Sequence, residues 1–359
     1  LTGTRKPAAT GSSEVTLLKN DKQEVEFMNL VYTTKQNNGE EYLEVTGAKA
    51  PATFVIVPKK VASIAPHAFE GRNDIREIVL PDSVTKIGSF AFYRCGCLRK
   101  ITLTDSCTDY GDGAIRGCSG LTDIEVFCGG RHQDDTDEMA NSENSNSDRK
   151  TDVHTSDFTI IRSMLRDSDA QLTFLIHLPG ADACLAFPSF TDVATENTYA
   201  RQIQFDISGS GYGYREVVGS KEIGWREYDR LFGRAAIDSV ETAALVALSR
   251  LMYPYMLEDQ ARVRYESYLG DPDNSPRILS WLVGAEGAVS AVGAVGNVGA
   301  MEDGTRLSRI KFMGEHELIN INAFPAAIKL ASSAGKTEIA ALLMEYSKRR
   351  EGSFDEFVL

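Results

Sequence analysis

Ile75-Arg76-Glu77-Ile78-Val79-Leu80-Pro81-Asp82-Ser83-Val84-Thr85-Lys86-Ile87-Gly88-Ser89-Phe90-Ala91-Phe92-Tyr93-Arg94-Cys95 is the stretch from which the fold is read. Ile78 and Leu80 alternate with Glu77 and Val79, the period of a strand with one buried face. Pro81-Asp82-Ser83 ends the strand. After Val84, Ile87 and Gly88, the small and large pair Ala91-Phe92 fills the interior where the chain turns back. Working outward, the pattern recurs every 23 residues. Ile78, Ile101 and Ile124 form one column, and Leu80, Leu103 and Val126 another; Val55 and Val57 stand one period earlier. Ala52, Ile75, Leu98 and Leu121 keep the phase, as do Ile64, Ile87 and Tyr110, and Ala68, Ala91 and Ala114. Aligned columns of this kind describe a unit that cannot bury its apolar face alone and stacks on its neighbours. The expectation is a solenoid with one short parallel strand per coil.

At these residues the chain resembles the BspA-like leucine-rich repeats, also described from treponemes. The family's Leu-Pro, Val, Ile-Gly, Ala-Phe and cysteine are matched by Leu80-Pro81, Val84, Ile87-Gly88, Ala91-Phe92 and Cys95. The next unit keeps Ile101, Leu103, Gly111, Ala114 and Cys118 but carries Thr104, Tyr110 and Ile115 where the family has proline, isoleucine and phenylalanine. The resemblance covers roughly residues 52–128. Family members include adhesins of anaerobic bacteria, so it implies a bacterial binding protein without naming a partner.

Glu77, Lys100 and Asp123 fall in one outward column of successive strands, where they would form an alternating charge ladder. Such ladders contribute from tenths of a kcal/mol to about 1 kcal/mol per pair. Phe54, Ile56 and Val79 share that face with Thr102 and Glu125. These eight residues are the candidate recognition surface; the alternative is a face covered by a cap or by the next domain. Before the repeats, Glu24 to Thr34 and Glu41 to Thr46 flank Asn37-Asn38-Gly39, a hairpin signature placed where a solenoid needs an N-terminal cap.

The chain has 359 residues and a net charge of −13, which argues against a phosphate-binding surface and hence against nucleic acid. No apolar stretch is long enough to cross a bilayer. The first residue is Leu rather than Met, so the sequence reads as lacking its true start, and both a cytoplasmic and a cell-surface or secreted location stay open. Cys95 and Cys118 share a repeat phase and read as small buried residues, although stacking about 4.8 Å apart also brings them within reach of a disulfide. No CxxC pair accompanies a spaced histidine, so no metal site is expected.

The expected organisation is a multidomain α+β chain. A flexible tail at 1–14 precedes a capped repeat domain at 15–128 and an acidic, disordered linker at 129–157 that contains His132 and His154. A β-containing unit follows at 158–234, with a hairpin in which Leu172, Phe174, Ile176 and Leu178 alternate, Pro179-Gly180-Ala181-Asp182 turns, and Ala183, Leu185 and Phe187 alternate back. His177 lies opposite the apolar set of its strand. Phe205, Ile207 and the segment Tyr212 to Val218 suggest further strands. An α-helical unit spans 235–350. Its first helix opens on a capping-box-like Asp238 and Glu241 and runs to Pro254; others are expected at about 259–269, 276–283, 315–321, 324–333 and 337–349. The last pair, at 324–346, resembles the two-helix core of an ankyrin repeat through Ile328, Leu330-Ala331, Gly335, Glu338-Ile339 and Leu342-Leu343, with Phe324-Pro325-Ala326-Ala327 in place of the usual opening.

Catalytic signals are weak. Ala334-Gly335-Lys336-Thr337 imitates the end of a phosphate loop but lacks the earlier glycine, so it reads as a helix-helix turn. Gly209-Ser210-Gly211-Tyr212-Gly213 misses the dinucleotide spacing. The glycines of Gly287 to Gly299 suit neither a solvated helix nor a phosphate loop. No nucleophile elbow or Cys-His-Asn set is found. Tyr212, Tyr214, Arg215 and Trp225, with Glu216, Arg226, Glu227, Tyr228 and Asp229, form an aromatic and charged cluster that suits either a groove or an internal interface. The expected function is therefore non-enzymatic binding of an unidentified protein or glycan through the strand face or the helical unit, without cofactor. The alternatives are an enzyme or small-molecule-binding domain in 158–350, carried by a pocket that includes this cluster, and a cell-envelope adhesin.

Overall fold

The computed structural model describes residues 30–37, 39–129, 157–197, 202–284 and 301–355. The expected tail at 1–14, the acidic stretch with His132 and His154, and the glycine run of 287–299 lie outside the described residues.

Strands β1 (Leu30–Asn37) and β2 (Glu40–Ala48) form the N-terminal hairpin. The coils follow with β3 (Phe54–Ile56), β4 (Val61–Ile64), β5 (Glu77–Val79), β6 (Lys86–Ile87), β7 (Lys100–Thr104), β8 (Asp109–Tyr110) and β9 (Asp123–Phe127). Alternate strands belong to two sheets. β3, β5, β7 and β9 pair in parallel, with Val55, Ile78, Ile101 and Ile124 in one row. β4, β6 and β8 form the second sheet, and β2 adds to it in parallel, so the hairpin covers the otherwise open edge and end of the first coil. Every residue of the predicted columns is buried except Ala52 and Tyr110, which are partly so.

The repeat motif has a physical reading. A β-carbon on Gly88 would fall 2.4 Å from the Pro66 nitrogen, and one on Gly111 2.2 Å from the Ser89 nitrogen. Only glycine lets successive coils approach at that corner. Phe69 and Phe92 stack at 5.6 Å in the interior. Each coil turns back through two left-handed residues, His67 and Gly71, then Phe90 and Arg94, then Gly113 and Gly117. Cys95 and Cys118 are free thiols, donating to the carbonyls of Phe69 and Phe92 at 2.9 and 3.0 Å.

Helix α1 (Thr159–Asp167) buries Ile160, Ile161, Met164 and Leu165 and packs against β8. It closes the C-terminal end of the solenoid. Asp167 accepts from the Tyr110 hydroxyl at 2.9 Å and from the backbone N–H groups of Gly113 and Ile115 at 2.9 and 3.0 Å, donors that a further coil would otherwise have to satisfy.

The expected hairpin forms as β10 (Leu172–Leu178) and β11 (Ala181–Phe187), with Phe174 against Leu185, but its turn is only Pro179-Gly180, because Ala181 and Asp182 pair with Leu178 and His177 inside the ladder. It is not set apart from the repeats. β10 pairs in parallel with β9, Phe174 against Ile124 and Ile176 against Val126, giving one six-stranded sheet in the order β11-β10-β9-β7-β5-β3. The sheet thus crosses the expected boundary between repeat domain and β-containing unit. The outer edge of β11 is closed by Tyr228, whose hydroxyl donates to the Ala186 carbonyl at 2.6 Å and accepts from the Ala186 N–H at 3.0 Å. β12 (Thr191–Asn197) and β13 (Gln202–Ser208) form a separate pair.

The expected strand at 212–218 is a helix, α2 (Gly211–Glu216), because Gly211, Tyr214, Arg215 and Val218 bury at helical spacing. α3 (Trp225–Arg230) and α4 (Phe232–Asp238) lead to α5 (Val240–Met252), which is buried nearly all round and packs on β11. Its N-cap is Ser239, which accepts from the Thr242 N–H at 3.0 Å; Asp238 instead accepts from the Ser210 N–H at 2.8 Å. α6 (Asp259–Gly270) and α7 (Asn274–Val283) match expectation, whereas the helix expected at about 315–321 does not form: α8 (Asp303–Glu315) ends where it was to begin, the chain turns there with Glu317 at φ +57°, and a short 3-10 turn follows at Ile321–Ala323. α9 (Phe324–Ser333) and α10 (Thr337–Asp355) form a helical hairpin around Gly335, whose φ is +70°. Lys336 pairs with Asp303 at 2.6 Å, as befits a helix turn and not a phosphate loop.

Candidate functional site

The outward side chains of the large sheet fall in two rows. Phe54, Glu77, Lys100, Asp123 and Thr173 form one; Ile56, Val79, Thr102, Glu125 and Leu175 form the other. All eight strand-face candidates therefore share a surface. Phe54 and Ile56 are 50% and 42% exposed, while Thr102 is buried beneath its neighbours. The ladder predicted along the first row is replaced by a diagonal: Lys100 reaches Glu125 at 2.7 Å, and the Thr102 hydroxyl donates to Glu125 at 3.3 Å. Glu125 is the less exposed carboxylate, where opposite charge is screened least.

Glu125 also holds His177. Its Nε2 lies 2.9 Å from Glu125 and its Nδ1 2.9 Å from Asp182, and the ring stacks on Phe127 at 4.3 Å. The Glu125 bond leads the rise in the His177 pKa, and the same bond holds the Glu125 carboxyl down at about 2. Both ring nitrogens are committed to carboxylates, which leaves neither to activate a nucleophile.

Where α5 and α8 overhang the sheet, the face narrows into a cleft that sequence reading missed. Its floor is Asp123, Thr173, Leu175 and Cys184; Ser249, Tyr253, Glu302, Thr305 and Arg309 form the wall. The cavity measures about 410 Å³ and adjoins, across Asp123, Thr173 and Leu175, a smaller one of about 180 Å³ beside Glu77 and Lys100. Desolvation by the cleft raises the Asp123 pKa, and burial raises the Cys184 thiol to about 11. Floor and wall lie far apart in the chain, so no local pattern announces the site.

The aromatic cluster does not form a groove. Tyr214, Arg215 and Trp225 are inside the protein, because α2 replaces the strand expected at 212–218 and α2 and α3 turn these residues inward. Arg215 donates to the carbonyls of Leu165, Ser168, Ala170, Pro188 and Gly211, tying α1 and α2 to the end of β11, and burial lowers its pKa to about 10. Tyr214 packs edge-on to Tyr228, and Trp225 to Tyr255. Asp229 is a buried carboxylate shared by Arg250 at 2.8 Å and the Tyr265 hydroxyl at 2.7 Å, and Arg226 pairs with Glu258 on the surface. Of the cluster's aromatic residues Tyr212 alone stays exposed, against Phe190.

Among the described residues no cluster of three His, Cys, Asp or Glu is arranged to hold a metal ion, and no helix is long and apolar enough to cross a membrane. No curated protein matches the chain. Solved structures similar to it include a leucine rich cell surface protein from Faecalibacterium prausnitzii, 22% identical over 30% of this chain and 34% of that one, with a TM-score of 0.25. A leucine-rich repeat protein from Bacteroides capillosus is 23% identical over 29% of this chain and 81% of its own, with a TM-score of 0.26. The T. pallidum Leucine Rich Repeat protein is 18% identical over 29% and 71%, with a TM-score of 0.20. The chain thus spans about a third of the first of these. The BspA type Leucine rich repeat region matches residues 48–133 in 6 copies, and the described part of that stretch, 48–129, folds into parallel coils with one shared strand register. Residues 48–133 of this chain are a leucine-rich-repeat region of the BspA type.

Proposed function

We propose that the chain is a non-enzymatic recognition module that takes a protein segment across the outward strand face of its repeats. The observation that carries this is the asymmetry of the face. α5 covers it at β11, while at β3 the apolar pair Phe54 and Ile56 stands open beside Val79. Apolar side chains anchor such contacts, and the charged rim of Glu77, Lys100 and Glu125 sets register and orientation. A protein segment suits the surface better than a glycan, because Phe54 and Ile56 stand on an edge strand whose backbone can take another strand.

The test places a photo-crosslinking residue at position 56 and, as a control, at Ile237, an 85% exposed apolar residue on α4. Cells of the source organism are irradiated with each. A saturable protein adduct at position 56 that F54S abolishes, and that is absent at position 237, supports the reading. Equal labelling at the two positions, or none at 56, refutes it.

A further inference from the structure

The cleft between the sheet and the helical unit contains a charged group that no carboxylate of the described residues contacts directly, Asp123 attracting it only from beyond ion-pair distance. Arg309 on α8 lines the cavity and is only 8% exposed. Its Nη1 contacts the Met301 sulfur at 3.4 Å and its guanidinium lies 5.9 Å from the Trp281 ring centroid; no carboxylate of the described residues is within ion-pair distance. The buried Ser249 hydroxyl on the same wall faces the Cys184 thiol and has no oxygen or nitrogen partner among the described residues. Arg215 and Arg250, the other buried arginines of the described residues, are satisfied by five carbonyls and by a carboxylate respectively. A buried guanidinium without such partners is costly. A ligand carboxylate accepting two of its N–H groups would offset that cost.

The same cavity carries charge of the opposite sign. Asp123 on the floor and Glu302 on the wall have no ion-pair partner among the described residues, and desolvation already disfavours the Asp123 anion. Leu175 and Met252 add an apolar lining to the same cavity. The volume of about 410 Å³ lies within the range of about 300–1,000 Å³ usual for small-ligand pockets.

We propose that this cavity binds a free α-amino acid with an apolar side chain, its carboxylate on Arg309, its ammonium between Asp123 and Glu302, and its side chain over Leu175 and Met252. The site is distinct from the open strand face at Phe54 and Ile56 and stands whether or not a protein docks there.

Isothermal titration calorimetry and thermal denaturation of the full chain test it with L-leucine and L-methionine. N-acetyl-L-leucine, which lacks the ammonium, and L-leucinamide, which lacks the carboxylate, are the matched controls. Saturable binding of leucine or methionine is expected, at least tenfold weaker for either control and lost in D123N and R309M. The double variant F54S/I56S should bind unchanged, which separates failure of the pocket from failure of the strand face. The proposal is overturned if neither amino acid binds at millimolar concentration, or if N-acetyl-L-leucine binds as tightly as leucine. Should R309M fail to fold, D123N decides, since Asp123 makes no ion pair among the described residues; undiminished binding in D123N also overturns the proposal.

Discussion

His177 shows how one side chain acquires its properties from three strands. Alternation along β10 puts it on the outward face, but the carboxylates that clamp it come from β9 and β11. Its raised pKa means that the clamp's contribution is fully present below the ordinary histidine value of 6.5 and is lost as pH rises through the folded value. Glu125, held at about 2, contributes above its ordinary 4.5 and loses that contribution as pH falls toward 2. Both shifts describe one contact, which is therefore strongest between those limits. Wild-type protein should lose stability relative to H177Q as pH rises above about 6.5, with a slope no steeper than one proton. Urea denaturation midpoints at each pH measure this, and parallel curves for the two proteins would show that the clamp holds no charge. The Glu125 partnership was not readable in advance. Repeat phase aligns β9 with β7, whereas β10 joins outside the 23-residue period.

At the scale of elements, legibility followed the number of residues that had to agree. The strand rows rest on several columns with one spacing, and their register matches residue for residue. α2 is shorter, and its tyrosines fit either alternation or a helix until Pro188 and Arg215 settle which side is buried. α1 escaped notice although Ile160, Ile161, Met164 and Leu165 lie on one helical face, because it follows directly on a long acidic stretch. Its role is concentrated in Asp167, which is 6% exposed in its side chain and accepts three hydrogen bonds from the last coil. D167A should cost about 3 kcal/mol, since it leaves a buried hydroxyl and two amides without an acceptor. Hydrogen exchange should show the loss of protection first at Gly113 and Ile115. Unchanged protection there, with a lower midpoint, would place the effect in α1 itself and not in the cap.

For the whole molecule, the question is where the solenoid ends. A repeat array loses one neighbour at its last coil, and the sheet edge and apolar interior exposed there must be covered. In this chain β10 replaces the next strand, Phe174 and Ile176 continue the rows of Ile124 and Val126, and α1 closes the other side. α5 then packs on β11, so the helices complete the repeats instead of hanging from them. The composition change near residue 129 looks like a domain boundary because apolar spacing stops there, yet spacing does not report which strand pairs next. A fragment of residues 30–129 should consequently fail to melt cooperatively and should bind a hydrophobic dye. Co-expressed with residues 157–355, it should be recovered as a non-covalent complex with a cooperative transition. A fragment 30–129 that melts alone at the temperature of the intact chain would mean instead that β9 tolerates an open edge, and that β10 joins two domains that are each already complete.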